Sequence, residues 1–374
     1  MYYLVFLLLL FVFYFVDKRK ISVSINKSLL IGIFIRLAIT LIFLKSSSYD
    51  LTSFLDAGKI ILNKQSTYSS LYFPFFSYLG SLALFLKDFI SPLIFLKLIF
   101  TIFDIGNIYL IYLLSKKNLN ITLLYALNPV TIICSNIHGQ FDVIPIFFFL
   151  LGIYFFNRHK ERLSILVISF AIFTKTWPAL FIIPIFKKLK NKWLFLLIII
   201  IPLLSTLFHC WYFKTPVMDI LMPIKNYRGV YGYWGIGNIL ILLLPKLDGS
   251  ILQLLRRIFF IALFFYSFYP SNKNIIKNIF KVMLFFFVFT LTFGSQWLSW
   301  LIPFVILVRP KKWYWFILSA TLYLVIVFAK NVYTLPTNAT DIFRVFETVL
   351  GFAVWIMIIF ITSRVKETGP NGLH

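Results

Sequence analysis

Two carboxylates, Asp50 and Asp56, lie in residues 46–78, the first long polar interruption of an otherwise apolar chain. The 374 residues include only 12 Asp and Glu. A carboxylate where an apolar helix meets water is costly unless it has a partner or a function. Such a group can act as a general base that accepts the proton of a hydroxyl. We predict that Asp50 is a catalytic base, with Asp56 in a secondary role because six residues turn about 600° of helix.

Cationic groups would complement this base if the leaving group were a lipid-linked phosphate. Transfer of a sugar from such a phosphate requires a base, positive or dipolar groups for the phosphate and a groove for the lipid. Lys175 and Arg228 are the predicted phosphate ligands, since each lies apart from the basic clusters of the chain. Arginine can bind phosphate through two hydrogen bonds, and lysine acts as a point charge. The alternative for both is an interfacial side chain that reaches water.

A polar island at residues 136–142 supplies further candidates. We predict that His138, Gln140 and Asp142 contact the sugar or the acceptor, although His138 could instead cap a helix end. Asp142 begins an apolar segment and therefore needs a cationic partner, either Lys175 or Arg36. The other predicted sugar or acceptor contacts are Asp56, Tyr227 and Gln296.

Arg36 and Asp104 lie inside apolar segments, where charged side chains must face protein or a water-filled cavity. For Arg36 a structural role and a phosphate contact both stay open. Asp104 has Asn107 three residues further on, on the same helix face. We favour a structural pair between Asp104 and Arg36.

The composition is that of a membrane protein: 61% of the residues are hydrophobic and 13% are charged, against roughly 25% charged in soluble domains. The net charge is +24, but the basic residues lie in short clusters between apolar segments. That pattern follows the positive-inside rule and does not indicate nucleic acid. The prediction is an integral, multi-pass membrane protein surrounded by lipid, in the plasma membrane of a prokaryote.

The predicted fold is all-α: a polytopic transmembrane helical bundle of about 11–13 membrane helices, some short or re-entrant. We predict one integral membrane domain over residues 1–374, with outer loops at 46–71, 209–233 and 330–340. Residues 363–374 are predicted to be a flexible cytoplasmic tail. Asn128-Pro129 should kink a helix and free a carbonyl. The segment 163–186 should be a broken pair of helices around 174–178, and the topology between 72 and 142 stays open.

Known cofactor motifs are missing from the sequence. There is no phosphate-binding Walker loop, no dinucleotide glycine motif and no His and Cys spacing typical of zinc. We therefore predict no cofactor, no metal and no nucleotide-sugar donor.

Several short motifs follow one another in the order seen in a known family. They are Asp50-x3-Phe54-x2-Ala57-x4-Leu62 with Tyr68 and Tyr72-Phe-Pro74, Leu127-Asn-Pro129, His138-Gly-Gln-Phe-Asp142 with Pro145, Lys175-x2-Pro178, Tyr227-Arg-Gly229 with Tyr233-Trp-Gly235, and Gln296-Trp-Leu-Ser-Trp-Leu-Ile-Pro303. In this respect the chain resembles the GT-C superfamily of polytopic glycosyltransferases. It is most similar to glycosyltransferase family 87 and to polyprenyl-phosphate-mannose-dependent mannosyltransferases.

The resemblance implies a bundle of GT-C type and an inverting transfer at the outer or lumenal face, with Asp50 as the base. The donor would be a polyprenyl-phosphate-linked hexose, with mannose favoured, and the acceptor a lipid or glycan. Phe75 stands where the family often has a second proline. Some relatives have adjacent acidic residues in the first loop, but here Tyr49 and Leu51 flank Asp50, so the resemblance does not extend to a metal site.

Two other functions are compatible with the sequence. A transporter or lipid flippase could use Arg36, Asp104 and Asp142 as a relay at the middle of the membrane. Transporters commonly contain internal repeats, and the polar segments at 46–71 and 209–233 do not resemble each other. A non-catalytic partner subunit of another enzyme is the third possibility.

Overall fold

The structure, a computed structural model, describes residues 2–44, 46–227, 229–232, 234–332 and 337–365. In chain order the α-helices are α1 (Tyr2–Lys18), α2 (Ile25–Ile42), α3 (Tyr49–Leu62), α4 (Phe75–Phe85), α5 (Pro92–Leu114), α6 (Leu119–Ala126), α7 (Pro129–Ile132), α8 (Val143–Asn157), α9 (Glu161–Thr174), α10 (Ile183–Lys188), α11 (Ile200–Phe213), α12 (Val217–Asn226), α13 (Gly235–Leu243), α14 (Gly249–Phe268), α15 (Ile275–Phe289), α16 (Leu298–Val308), α17 (Trp313–Val332) and α18 (Thr337–Arg364). Strands β1 (Val230–Tyr231) and β2 (Thr292–Phe293) form one short antiparallel pair.

Six of the described helical segments are long and apolar enough to cross a bilayer. They are Ile25–Ile42, Pro92–Leu114, Leu119–Ile137, Lys192–Phe213, Gly249–Phe268 and Ile342–Arg364. The protein is thus an all-α, multi-pass integral membrane protein, as the composition predicts. The finer estimate of about 11–13 membrane helices stays a prediction.

The chain folds into two compact units. One contains residues 15–179 and 189–227, and the other contains residues 1–14, 180–188 and 228–374. In the first unit α3 and α4 pack at a glycine contact. A Cβ on Gly80 would lie 1.9 Å from the carbonyl oxygen of Phe54, and one on Gly58 would lie 2.4 Å from the backbone of Gly80. Small residues therefore allow these two backbones to approach closely.

The predicted kink at Asn128-Pro129 is present between α6 and α7. The Asn128 side chain accepts hydrogen bonds from the backbone N–H of Val130 and Thr131, at 3.0 and 3.2 Å. Proline lacks the N–H needed to continue the preceding helix. The carbonyl of Ala126 instead accepts a hydrogen bond from Arg36 Nη1 at 2.8 Å. The prediction that this break frees a carbonyl is confirmed.

Arg36 and Asp104 form a completely buried ion pair, with 2.7 Å between Nε and Oδ2 and 0% side-chain exposure for both. Tyr125 and Ser135 donate hydroxyl hydrogen bonds to the same carboxylate, at 3.2 and 3.3 Å. A buried pair of charges is tolerated when such additional hydrogen bonds satisfy it. The structural interpretation of Arg36 and Asp104 is confirmed, and the pair joins α2 to α5.

The predicted break near 174–178 is also present. Helix α9 ends at Thr174, and a short 3₁₀ helix covers Trp177–Phe181 before α10 begins. All three segments predicted as outer loops contain helical residues: 46–71 contains α3, 209–233 contains the end of α11 and all of α12, and 330–340 contains the end of α17 and the start of α18. Residues 333–336 of the third predicted loop and residues 366–374 of the predicted tail lie outside the described residues.

The second unit is organised around buried tryptophans. Trp234 is fully buried, stacks on Phe293 with 4.0 Å between ring centroids, and donates its indole N–H to the Phe287 carbonyl at 2.9 Å. Trp355 of α18 donates in the same way to Val288 at 2.9 Å. Because both indoles reach carbonyls near the end of α15, they fix α13 and α18 against that helix.

Candidate functional site

Asp50 lies in the first turn of α3, and the helix start is well defined. The Ser48 hydroxyl caps the helix by accepting a hydrogen bond from the backbone N–H of Leu51 at 3.3 Å. Serine is among the preferred residues at this position. Carboxylates in a first turn are stabilised by the exposed N–H groups and the helix dipole. The cap therefore fixes the half-buried Asp50 carboxylate in the first turn of α3, where the helix dipole offsets part of the cost of burying its charge.

The turn at residues 138–140 approaches Asp50 from the other side. Gln140 donates from Nε2 to Asp50 Oδ2 at 2.7 Å, and its side chain is buried. Gly139 has a φ of +72°, and a Cβ there would lie 2.4 Å from Leu51 Cδ1. The Ser48 hydroxyl also donates to the Gly139 carbonyl at 3.4 Å. Glycine is thus needed for both the left-handed backbone and the close contact with α3.

A π-helical turn at Ile133–Ile137 leads into this loop. Lys97 of α5 is completely buried and its Nζ donates to the Phe43 carbonyl at 2.9 Å and to the Ile137 carbonyl at 3.5 Å. These two carbonyls precede the segments that carry Asp50 and Gln140. Lys97 therefore ties together the two stretches of backbone that form the site. Single π turns occur frequently at functional sites.

Asp142 and Lys175 form a second buried ion pair. Lys175 Nζ lies 2.9 Å from Asp142 Oδ1 and 3.0 Å from Oδ2, and the side chains are 3% and 1% exposed. Asp142 directly precedes α8, and Lys175 caps the C-terminal end of α9. Of the two partners predicted for Asp142, the structure shows Lys175.

Aromatic rings surround the Lys175 ammonium group. Its Nζ lies 4.2 Å from the centroid of Phe141 and 5.6 Å from that of Tyr72. The ring centroids of Tyr72 and Tyr227 are 5.8 Å apart. Cations are attracted to the faces of aromatic rings at these distances. The rings therefore contribute both apolar walls and part of the stabilisation of a buried positive charge.

The charges in the site influence one another. Burial raises the pKa of Asp50, while the positive charge of Lys175 and the hydrogen bond from Gln140 oppose this rise. Burial alone would lower the pKa of Lys175, but Asp142, Tyr227 and Asp50 outweigh it and raise the pKa on balance. The neighbouring acidic groups therefore stabilise the protonated form of Lys175, and burial increases the proton affinity of Asp50. A general base benefits from a pKa moved towards the operating pH.

The structure brings together Asp50, Gln140, Asp142, Lys175 and Tyr227, all in one unit. These five residues come from four separate parts of the sequence. Their convergence places one partly exposed carboxylate beside a neutralised ion pair, an amide and a tyrosine hydroxyl.

The remaining predicted site residues have other positions. His138 is half-buried on the turn that carries Gln140. Asp56 is exposed on α3 and forms a surface ion pair with Lys59 at 2.9 Å. Gln296 lies in the 3₁₀ turn Ser295–Trp297 of the other unit. Arg228 lies outside the described residues, as does Tyr233 of the same predicted motif.

Sequence reasoning missed four contributors to the site: Ser48, Tyr72, Lys97 and Phe141. The position of Ser48 directly before α3 is a recognisable helix-start signal. Tyr72 appears in the Tyr72-Phe-Pro74 motif, which does not by itself assign a contact. Phe141 lies in the His138-Gly-Gln-Phe-Asp142 motif, which likewise assigns no contact. Lys97 could have been found as a charged residue inside an apolar segment.

No protein-family model matches the chain, and no curated protein matches it. The chemistry of the site therefore has to be inferred from its own residues and motifs. A half-buried carboxylate with raised proton affinity, oriented by an amide and placed beside aromatic rings, is suited to accepting a proton from a bound hydroxyl.

Proposed function

We propose that this protein is a membrane glycosyltransferase. It moves a hexose, with mannose favoured, from a polyprenyl-phosphate-linked donor to a lipid-linked or glycan acceptor. The reaction takes place at the outer face of a prokaryotic plasma membrane and inverts the anomeric centre. The observation that carries this proposal is the hydrogen bond of 2.7 Å that orients the half-buried Asp50 carboxylate through Gln140. The ordered motifs between Asp50 and Pro303 support the same reaction class.

In the proposed reaction, an acceptor hydroxyl loses its proton to Asp50 as its oxygen attacks the anomeric carbon. A new bond forms between that oxygen and the anomeric carbon, and the bond from this carbon to the phosphate oxygen breaks. The polyprenyl phosphate leaves with the bonding electron pair, and Asp50 keeps the proton until solvent removes it. Attack from the face opposite the leaving group accounts for inversion.

Asp50 is preferred as the base over three other acidic residues of the same unit, Asp56, Asp104 and Asp142. Asp142 has both carboxylate oxygens bound by Lys175 and is 1% exposed. Asp104 is fully buried against Arg36, so an acceptor hydroxyl has no route to either carboxylate. Asp56 is accessible, but it lies on the exposed face of α3. Asp50 alone among these four combines partial exposure with an orienting hydrogen bond.

The contact with the donor phosphate is assigned less directly. Lys175 faces Asp142 and acts on Asp50 through its charge, so we propose that it controls the proton affinity of the base. Its contact with phosphate stays a prediction. Arg228 follows Tyr227 in the sequence, and its assignment as a phosphate ligand rests on that position and on guanidinium geometry.

The burial of the two ion pairs favours an enzyme over a transporter. A relay through Arg36, Asp104 and Asp142 would need charged groups that face a cavity or one another. Instead, Arg36 and Asp104 form one closed pair and Asp142 pairs with Lys175. Neither pair has the exposure expected of groups along an ion pathway.

The test is sugar transfer by purified protein from a panel of radiolabelled polyprenyl-phosphate sugars to a membrane lipid extract. We expect Asp50→Asn to lower the rate by about 10²- to 10⁴-fold, the usual contribution of a general base. Asp88→Asn is the matched control, because Asp88 is an exposed aspartate of the same unit with no assigned role. Equal rates for wild type and Asp50→Asn would refute the assignment, as would absence of transfer from every donor. A chelator arm tests metal dependence separately.

A further inference from the structure

Helices α17 and α18 enclose an open groove of about 610 Å³ whose lining is mostly apolar. Trp315 and Leu322 line it from α17, and Leu350, Ala353 and Phe360 line it from α18. Its volume lies within the ~300–1,000 Å³ typical of small-molecule sites. The groove belongs to one unit, and none of the proposed catalytic residues lines it.

Two positive charges meet at one end of this groove. Lys312 directly precedes α17, and Arg364 is the last residue of α18. Lys312 Nζ lies 5.2 Å from the ring centroid of Phe360, and Arg364 Cζ lies 5.5 Å from the same centroid. Both side chains are exposed. The groove therefore has an apolar lining with Lys312 in its wall at one end, and Arg364 lies just beyond the lining, near the same Phe360 ring.

The length of the groove matches one leaflet of a bilayer. From Lys312 to Leu322, and from Phe360 back to Leu350, each helix advances ten residues, or about 15 Å at 1.5 Å per residue. The hydrocarbon core of a bilayer is about 30 Å thick. A molecule with its charged group at Lys312 and Arg364 would thus place its chain in a single leaflet.

We propose that this groove is a binding site for an anionic phospholipid. One acyl chain lies along Trp315, Ala353 and Leu322, and the lipid phosphate lies between Lys312 and Arg364. Basic pockets between membrane helices recognise anionic headgroups, and arginine can bind a phosphate with two hydrogen bonds. Because the basic cluster at 309–312 is predicted to be cytoplasmic, the lipid belongs to the cytoplasmic leaflet. This site is independent of the proposed glycosyl transfer, because it shares no residue with the Asp50 site.

The test uses the full chain, delipidated in detergent, and native mass spectrometry with phosphatidylglycerol or phosphatidylcholine of identical acyl chains. We expect saturable binding of one phosphatidylglycerol in preference to phosphatidylcholine. The double variant Lys312→Gln/Arg364→Gln should weaken phosphatidylglycerol binding roughly thirtyfold, because each of the two cations contributes about equally to the attraction of an anionic headgroup. The control Lys246→Gln/Lys273→Gln removes two exposed charges of the same unit that do not line the groove, and it should bind like wild type.

A second pair of variants tests the acyl chain. Ala353→Phe fills the groove and should remove the preference. Ile359→Phe adds the same ring at an exposed position of α18 that does not line the groove and lies about 120° around the helix from Ala353, and it should not. Phosphatidylglycerol with brominated acyl chains should quench Trp315 fluorescence in wild type, measured against Trp315→Phe. If Ala353→Phe does not fold, the charge variants and this quenching still decide the question.

Several results would overturn the proposal. Equal binding of the two phospholipids would show that the groove does not recognise the anionic headgroup. Undiminished binding by Lys312→Gln/Arg364→Gln would place the lipid elsewhere. Displacement by a polyprenyl phosphate but not by excess phosphatidylglycerol would assign the groove to the donor, and cross-linking of α18 to α18 of a second copy would assign it to an oligomer interface.

Discussion

The chemistry of this protein depends on how its few carboxylates differ in their surroundings. Asp104 and Asp142 are buried and paired with Arg36 and Lys175, whereas Asp50 is half-buried and accepts a hydrogen bond from an uncharged amide. An adjacent cation lowers the proton affinity of a carboxylate. An uncharged amide orients the carboxylate and leaves it able to accept a proton. The uncharged partner Gln140 therefore distinguishes Asp50 as the candidate functional carboxylate.

The pH dependence of transfer should report the environment of Asp50. Because burial raises the pKa of Asp50, we expect the acid limb of the rate profile to lie above the ordinary aspartate value of about 3.9. Activity should fall as pH falls through that limb, because only the ionised carboxylate accepts a proton. In Gln140→Met the hydrogen bond that lowers this pKa is lost, so the limb should move to higher pH.

The measurement is log kcat/KM against pH for wild type and Gln140→Met. A purely structural role of Gln140 would reduce the rate at every pH and leave the limb where it was. A shift towards lower pH would contradict the assigned hydrogen bond.

Two breaks in regular structure place the functional side chains. The π turn at Ile133–Ile137 and the left-handed Gly139 aim Gln140 at the start of α3. The end of α9 at Thr174 allows Lys175 to reach Asp142, which precedes α8. Continuous helices would direct these side chains along regular faces, so the irregular backbone is what brings the polar groups together.

The Lys175–Asp142 pair should be essential for stability as well as for activity. Lys175→Met leaves a buried carboxylate without its partner, which typically destabilises a protein by about 3–5 kcal/mol. The double variant Lys175→Met/Asp142→Leu removes both charges and should recover most of that loss. Thermal unfolding of wild type, Lys175→Met, Asp142→Leu and the double variant in one detergent measures the coupling. Additive losses in the double variant would contradict the pairing.

Gly139→Ala should lower activity through the geometry of the site. Alanine at this φ costs about 1–2 kcal/mol, and its methyl group would lie 2.4 Å from Leu51 Cδ1. We expect slower transfer with donor KM changed little. Gly249→Ala is the control, since an added methyl there meets nothing within 4 Å. Wild-type kcat in Gly139→Ala would show that the contact with α3 does not position Asp50.

At the scale of the whole molecule, the basic cluster at 158–162 and the candidate base Asp50 are predicted to lie on opposite sides of the membrane. The basic cluster at 158–162 lies between α8 and α9 and is largely exposed, whereas Asp50 begins a helix after the first candidate span, Ile25–Ile42. The positive-inside rule assigns such clusters to the cytoplasm. The proposed reaction then faces the outside of the cell.

Labelling of single cysteines tests this orientation in intact cells. In a background of Cys134→Ala/Cys210→Ala, Ser66→Cys should react with a membrane-impermeant maleimide, and Lys160→Cys should react only after the membrane is permeabilised. Both positions are exposed in the structure, so a lack of access reflects the bilayer. The reverse pattern would put the Asp50 site in the cytoplasm and exclude the proposed donor geometry.

Local chemistry in the sequence was sufficient for several features of this protein. Hydropathy over about 20 residues identifies membrane helices, and Asn128-Pro129 predicts the kink whose free carbonyl binds Arg36. The sequence also indicated the unusual position of Asp50 and the need of Asp142 and Asp104 for cationic partners. An unpaired charge in an apolar segment is costly in any fold.

Only the tertiary structure decided which partners these charges take and how exposed each one remains. Asp142 had two possible cations, and the choice of Lys175 depends on where α9 ends against α8. Part of the predicted loop at 46–71 forms α3, and Gly58 and Gly80 let this helix pack closely on α4. Lys97 and Phe141 entered the site through contacts between segments far apart in the chain. Such contacts depend on three-dimensional proximity, which local residue patterns do not encode.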